Sequence, residues 1–134
     1  MFKFLKIDIE QFAVIEKSFD DVQSDVSFGI EISFGLGVNQ DVVIVTTKFI
    51  FSKEHPFLIL QVSCSFEVNS PLIKEQLILD QDTARHLLML TIGTARGILY
   101  AKTEGTKFCS FIIPTLNLYK FITEDVKFDT NYTQ

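Results

Sequence analysis

Two histidines, two cysteines and 17 carboxylates are the residues of this chain from which chemistry could be built. Imidazole titrates near neutrality and is the usual general acid, base or metal ligand. His55 lies in the turn-like run Ser52-Lys53-Glu54-His55-Pro56, and His86 follows Arg85 in the first turn of a helical pattern. Neither has a Cys, Ser or carboxylate at a spacing that builds a catalytic pair. Zinc sites draw their ligands from closely spaced pairs, and no two of His55, His86, Cys64 and Cys109 are so placed. Cys64 and Cys109 each sit inside an apolar run, outside any C-x-x-C pattern, and are expected as buried, reduced thiols. The carboxylate pairs Asp20-Asp21 and Glu124-Asp125 fall in turn and terminal contexts and read as solvated surface. A phosphate loop joins a strand to a helix. Gly35-x-Gly37 lies within a strand pattern and Gly93-x-x-x-Gly97 within a helix pattern, so neither qualifies. No catalytic residue, metal or cofactor is expected, and the chain does not read as an enzyme.

The elements that would position these residues follow from periodicity. In residues 2–16, Leu5, Ile7 and Ile9 share one face of a strand, then the apolar parity shifts to Phe12 and Val14, which predicts a β-bulge or a bend. Asp20-Asp21 and Ser24-Asp25 are turn chemistry. From Val26 to Val38 every second residue is apolar, and Ser, Gly and Glu lie between, a strand with one greasy and one small or polar face. Val42–Phe51 is apolar on both faces, as an internal strand is. After a loop at 52–56, Leu58, Leu60, Val62, Cys64, Phe66 and Val68 alternate again. Four strands with short turns predict an antiparallel meander or Greek key.

Residues 72–79 read as a helical turn or an irregular crossing. Asp80 or Asp82 then caps a helix. Ala84, Leu88, Thr91, Ala95, Ile98 and Lys102 keep helical spacing, and Gly105 is the expected C′ residue. Gly93 and Gly97 cost this helix about 1 kcal/mol each relative to Ala. Close approach of another helix or a sheet is the expected reason. Phe108–Ile113 reads as a short extended run ending at Pro114, Asn117 caps a brief last helix, and 123–134 frays.

At 134 residues the chain suits one domain, 1–134, of α+β class. It carries 14 Phe and no Trp, more large apolar side chains than a core of this size obviously needs, so some apolar surface is expected to be shared with a copy or a client. A net charge of −5 with scattered Lys and Arg argues against nucleic acid as a partner. Lys3, Lys6, Asp8 and Glu10 interrupt the N-terminus, so no signal peptide is read there, no stretch reads as a membrane span, and a cytoplasmic location is expected.

The segment Thr94-Ala-Arg-Gly-Ile-Leu-Tyr-Ala-Lys-Thr-Glu-Gly-Thr, followed by Phe111-Ile-Ile-Pro-Thr-Leu-Asn-Leu, resembles the SecB family of protein-export chaperones, most closely its shorter, divergent members. The resemblance is specific over about residues 91–122, and the upstream strand pattern fits it. It implies a four-stranded antiparallel sheet with one long helix on a face and a short C-terminal helix. It implies a homotetrameric dimer of dimers, with Gly93, Thr94, Gly97 and Ala101 at the oligomer interface. It further implies an ATP-independent holdase that binds unfolded polypeptides or preproteins in apolar grooves, here Val26, Phe28, Ile30, Leu118, Phe121 and Ile122. Family members deliver clients to SecA through acidic residues on the first and last strands. Ile9 and Ala13, with Leu60 or Gln61, occupy those positions here, and the acidic tail is missing, so SecA docking lacks its usual groups. Two alternatives stand beside export: a chaperone dedicated to the antitoxin of a toxin–antitoxin pair, and a carrier of a small apolar ligand.

Overall fold

A computed structural model describes residues 2–21, 23–37, 41–68 and 78–128. Four strands, β1 (Phe2–Val14), β2 (Ser27–Leu36), β3 (Val42–Lys53) and β4 (His55–Val68), form one antiparallel sheet in the order β1-β4-β3-β2. The three later strands are a meander, and β1 lies beside the last of them, so the Greek key, rather than a simple four-strand meander, is the arrangement found. A short helix, α1 (Glu16–Asp20), begins the crossing from β1 to β2. The long helix α2 (Gln81–Thr103), the short helix α3 (Leu118–Phe121) and a two-stranded ribbon of β5 (Ile78–Leu79) with β6 (Val126–Lys127) complete the described chain.

The sheet follows its apolar parity. Val43, Val45, Phe49 and Phe51 of β3 pair with Phe66, Cys64, Leu60 and Leu58 of β4, and all eight are buried under α2. The helix turns Ala84, Leu87, Leu88, Thr91, Ile92, Ala95, Leu99 and Thr103 into that layer. Burial of one such Leu or Phe side chain is worth roughly 1.5–3 kcal/mol. β3 is internal, as its two apolar faces require, and its outer residues Val42, Ile44 and Ile50 are half-buried. β1 shifts register between Phe4 and Lys6 and again between Ile9 and Gln11, the second at the expected parity change.

Helix α2 starts and stops by its sequence. Asp80 is the N-cap: its carboxylate accepts from Thr83 N at 3.2 Å and from Thr83 Oγ1 at 2.7 Å. Lys102 lies in the last turn, and Gly105 leaves it with φ +80°, a left-handed conformation natural to glycine. Thr91, Thr94 and Thr103 donate their hydroxyls to the carbonyls four residues back, each at 2.8 Å, so buried threonines cost no unpaired group.

Several expectations are corrected. Phe108–Ser110 is a series of turns, not an extended run: Phe108 N donates to Thr106 Oγ1 and Phe111 N to Phe108 O. The turn folds Phe108 and Phe111 onto Phe57 and Phe19, whose rings lie 4.9–6.5 Å apart, and aromatic packing prevails over strand propensity. Cys109, carried on this turn, is exposed, whereas Cys64 is buried. Val126–Lys127, expected to fray, is paired with Ile78–Leu79. The β3–β4 loop narrows to Glu54, at φ +26°, and His55 already belongs to β4. The expectation for 72–79 lies largely outside the described residues.

Candidate functional site

β2 is an edge strand whose Phe28, Ile30, Ile32, Phe34 and Leu36 share the face covered by α2 further in. None reaches full burial, because α2 packs over β3 and β4 and leaves this edge partly open. The chain after α2 fills some of the gap. It runs back along the helix and is held there by two arginines. Arg96 donates from Nε to Ile113 O and from Nη2 to Pro114 O, both at 2.8 Å. Arg85 donates from Nε (3.1 Å) and Nη2 (2.9 Å) to Ile122 O, from Nη1 to Asp82 and from Nη2 to Gln81. Its guanidinium also lies 4.2 Å from the Tyr119 ring centre, a cation–π contact. Asp125 accepts from the Gln81 backbone N–H at 2.9 Å.

Between this tethered segment and β2 lies a cavity of about 370 Å³, lined by Ile30, Ile32, Ser33, Phe34, Phe121, Ile122 and Val126. Its lining contains no titratable side chain. Ser33 alternates with the inward residues of β2, so the wall it contributes lies at the strand's edge. Of the residues expected in a groove, the structure brings Ile30, Phe121 and Ile122 together here. Phe121 is 41% exposed and Ile122 is 7% exposed, so the first is wall and the second mostly core. Phe28 packs on Phe51, with ring centres 5.0 Å apart, and is outside the lining. Val26 precedes β2 and is exposed.

Leu118 faces a different cavity, about 410 Å³, with Arg85, His86, Met89, Leu116, Asn117 and Tyr119. Asn117 caps α3 by accepting from Tyr119 N at 3.1 Å, and this turn sends Leu118 and Phe121 to separate sites. Ile32, Phe34 and Val126 are the wall residues that reading the sequence passed over. Ile32 and Phe34 were available from the same alternation that gave Ile30, whereas Val126 enters only through the β5–β6 pairing.

A third cavity, about 370 Å³, is bounded by Gly93, Arg96, Gly97, Tyr100, Phe111 and Ile112. Gly93, Gly97 and Ala101 are exposed on α2 and Thr94 is half-buried. A Cβ added at Gly93 or Gly97 would meet nothing within 4 Å, so no packing among the described residues requires either glycine. Exposed apolar residues surround this helix face, with Met89 at 51%, Tyr100 at 54% and Ile112 at 58%.

The groups with chemical potential stay apart. His86 is exposed and meets Phe2 edge-on at 4.9 Å between ring centres, and His55 lies in the β3–β4 hairpin. Burial pushes the Cys64 thiol up, and the neighbouring Thr91 and Thr94 side chains draw it only part of the way back, the direction opposite to that of an activated thiolate. Among the described residues no three His, Cys, Asp or Glu side chains converge on a point that could hold a metal, and no helix is long and apolar enough to cross a membrane.

No family model matches the chain, and no curated protein matches it. Among solved structures, the chain is similar to the Mycobacterium tuberculosis Rv1957 SecB-like chaperone in complex with a ChAD peptide from the Rv1956 HigA1 antitoxin. The alignment covers 87% of this chain and 91% of that one, with 9% sequence identity and a TM-score of 0.48.

Proposed function

We propose that this protein is an ATP-independent holdase that keeps unfolded polypeptide from aggregating. The observation that carries the reading is the uncharged cavity along β2, walled by Ile30, Ile32, Phe34, Phe121, Ile122 and Val126. A wall whose one polar side chain is the hydroxyl of Ser33, with no acid or base in the lining to activate it, can bind but has nothing with which to drive a reaction. Unfolded clients gain roughly 25 cal/mol per Å² of apolar surface they bury there. Several such contacts along one chain raise avidity without demanding one sequence.

In this reading the working form is a dimer of dimers, with Gly93, Thr94, Gly97 and Ala101 at contacts between copies and with the apolar side chains around them covered. Clients are preproteins bound for export or, alternatively, a single antitoxin, and the protein works in the cytoplasm. SecA docking lacks its usual groups, because Ile9 and Ala13, with Leu60 or Gln61, offer no acidic side chain.

The test is light scattering from a chemically denatured client diluted into buffer without nucleotide. Suppression at about one tetramer per client chain is expected. Aggregation unchanged at that ratio, while bovine serum albumin as a control also has no effect, would overturn the proposal.

A further inference from the structure

The two edges of the sheet are unlike. β1 is broken by two register shifts and carries Lys3, Lys6, Asp8 and Glu10, devices that discourage a further strand. β2 runs from Ser27 to Leu36 against β3 without a register shift, has no proline, and has Glu31 as its one charged residue. Among the described residues no strand pairs with its outer edge.

The direction of its backbone groups follows from one bond. Gly37 N donates to Val42 O at 2.8 Å, which makes these two a hydrogen-bonded pair. In an antiparallel ladder bonded and non-bonded pairs alternate. With the unbroken register, Gly35, Ser33, Glu31 and Gly29 therefore spend their N–H and C=O groups on β3. Phe28, Ile30, Ile32, Phe34 and Leu36 turn theirs outward. The residues that line or flank the apolar cavity are thus the ones with backbone donors and acceptors to offer at the edge.

We propose that β2 receives an extended client segment as a fifth, antiparallel strand of the sheet. This rests on the holdase reading and specifies how a client is held. A residue placed opposite Ile30, Ile32 or Phe34 exchanges both backbone bonds with it, and its side chain falls on the cavity side, toward Phe121 and Val126. The alternate client residues fall on the outer face beside Gly29 and Gly35, where a Cβ built on either glycine meets nothing within 4 Å. A basic residue opposite Glu31 complements its charge across the strand pair. The partner is therefore a polypeptide with apolar residues at every second position and polar or basic residues between, recognised through its backbone as well as its side chains.

The experiment uses the unmodified protein and a fluorescein-labelled peptide, Lys-Thr-Leu-Lys-Phe-Thr-Leu-Lys with blocked ends, followed by anisotropy. Two N-methylated forms keep every side chain. One carries methyl groups on the amides of its Leu and Phe residues, which face β2 in this register. The other carries them on the amides of the Thr and Lys residues between, which face solvent. The parent is expected to bind, the first form to lose about tenfold or more in affinity for the backbone bonds removed, and the second to keep the parent's affinity within about a factor of three, less than the net worth of one such bond. Equal affinity of all three, equal loss in both, the reverse order, or no binding by the parent would overturn this inference. Suppression of client aggregation, measured alongside, reports on the holdase reading separately.

Discussion

Ile32 is the residue at which groove and strand edge meet. It lines the apolar cavity, is half-buried, and pairs with Thr47 of β3 in a continuous register. Ile32→Asp puts a carboxylate where a client must strip water from it, a cost of about 1–3 kcal/mol for a polar group in partly buried surroundings. Client affinity should fall about tenfold or more while circular dichroism stays as in the parent; unchanged affinity would show that the cavity is not where clients bind. The two thiols separate by position in the same manner. Cys109 sits exposed on a turn and Cys64 is enclosed at 0% exposure between β3, β1 and α2. At pH 8 Ellman's reagent should titrate one thiol per native chain and both in guanidinium chloride. Because burial holds the folded Cys64 thiol above its ordinary value of 9.0, the folded state retains this proton where the unfolded chain releases it. Its contribution is therefore complete below about pH 9 and is lost as pH rises beyond it. Cys64→Ala should flatten that alkaline loss of stability, seen as urea midpoints between pH 8 and pH 10.

At the scale of elements, the arginines on α2 are what make the C-terminal segment a wall. Arg85 has only 14% of its side chain exposed and gives two bonds to Ile122 O, next to the wall residue Phe121. Arg85→Ala should free residues 118–127 at a local cost of about 1.5–3 kcal/mol, the worth of a charged hydrogen bond. Amide exchange should accelerate there and leave the centre of α2 protected; uniform acceleration across the sheet would mean that Arg85 supports the whole fold instead. Sequence patterns revealed the repeating elements well, for a physical reason. β2, β3, β4 and α2 each bury one continuous stripe, and a stripe prints its period on the chain. The cap at Asp80, the stop at Gly105 and the bulge after Ile9 were legible because each has its own local chemistry. The tether was not legible. Nothing in the sequence pairs Arg85 or Arg96 with a partner; only the returning chain places Ile122, Ile113 and Pro114 carbonyls beside them. The turn at 107–110 was missed because Phe19, far away in sequence on α1, decides where Phe108 and Phe111 go.

The whole molecule spends its phenylalanines inside more fully than the composition suggests. Phe19, Phe51, Phe57, Phe108 and Phe111 form one cluster, and Phe2 and Phe4 close on Phe66. What remains uncovered is mostly not Phe: Leu5, Ile7 and Ile9 on β1, and Met89, Tyr100 and Ile112 around the exposed face of α2. Exposed apolar surface is therefore present, but apart from Phe4 and Phe121, 38% and 41% exposed, it lies on side chains other than Phe. Gly97 separates what one chain needs from what an assembly needs. Among the described residues a Cβ added there meets nothing within 4 Å, so Gly97→Leu is expected to be tolerated by the chain itself and to remove a helix penalty of about 1 kcal/mol. If a second copy's helix rests against this face, the same side chain stands in the contact and the assembly comes apart. Sedimentation should show the parent as a tetramer and Gly97→Leu as smaller species, with helical circular dichroism unchanged at matched concentration. A variant that stays tetrameric would remove Gly97 from the interface, and a parent that sediments as a monomer would remove the assembly altogether.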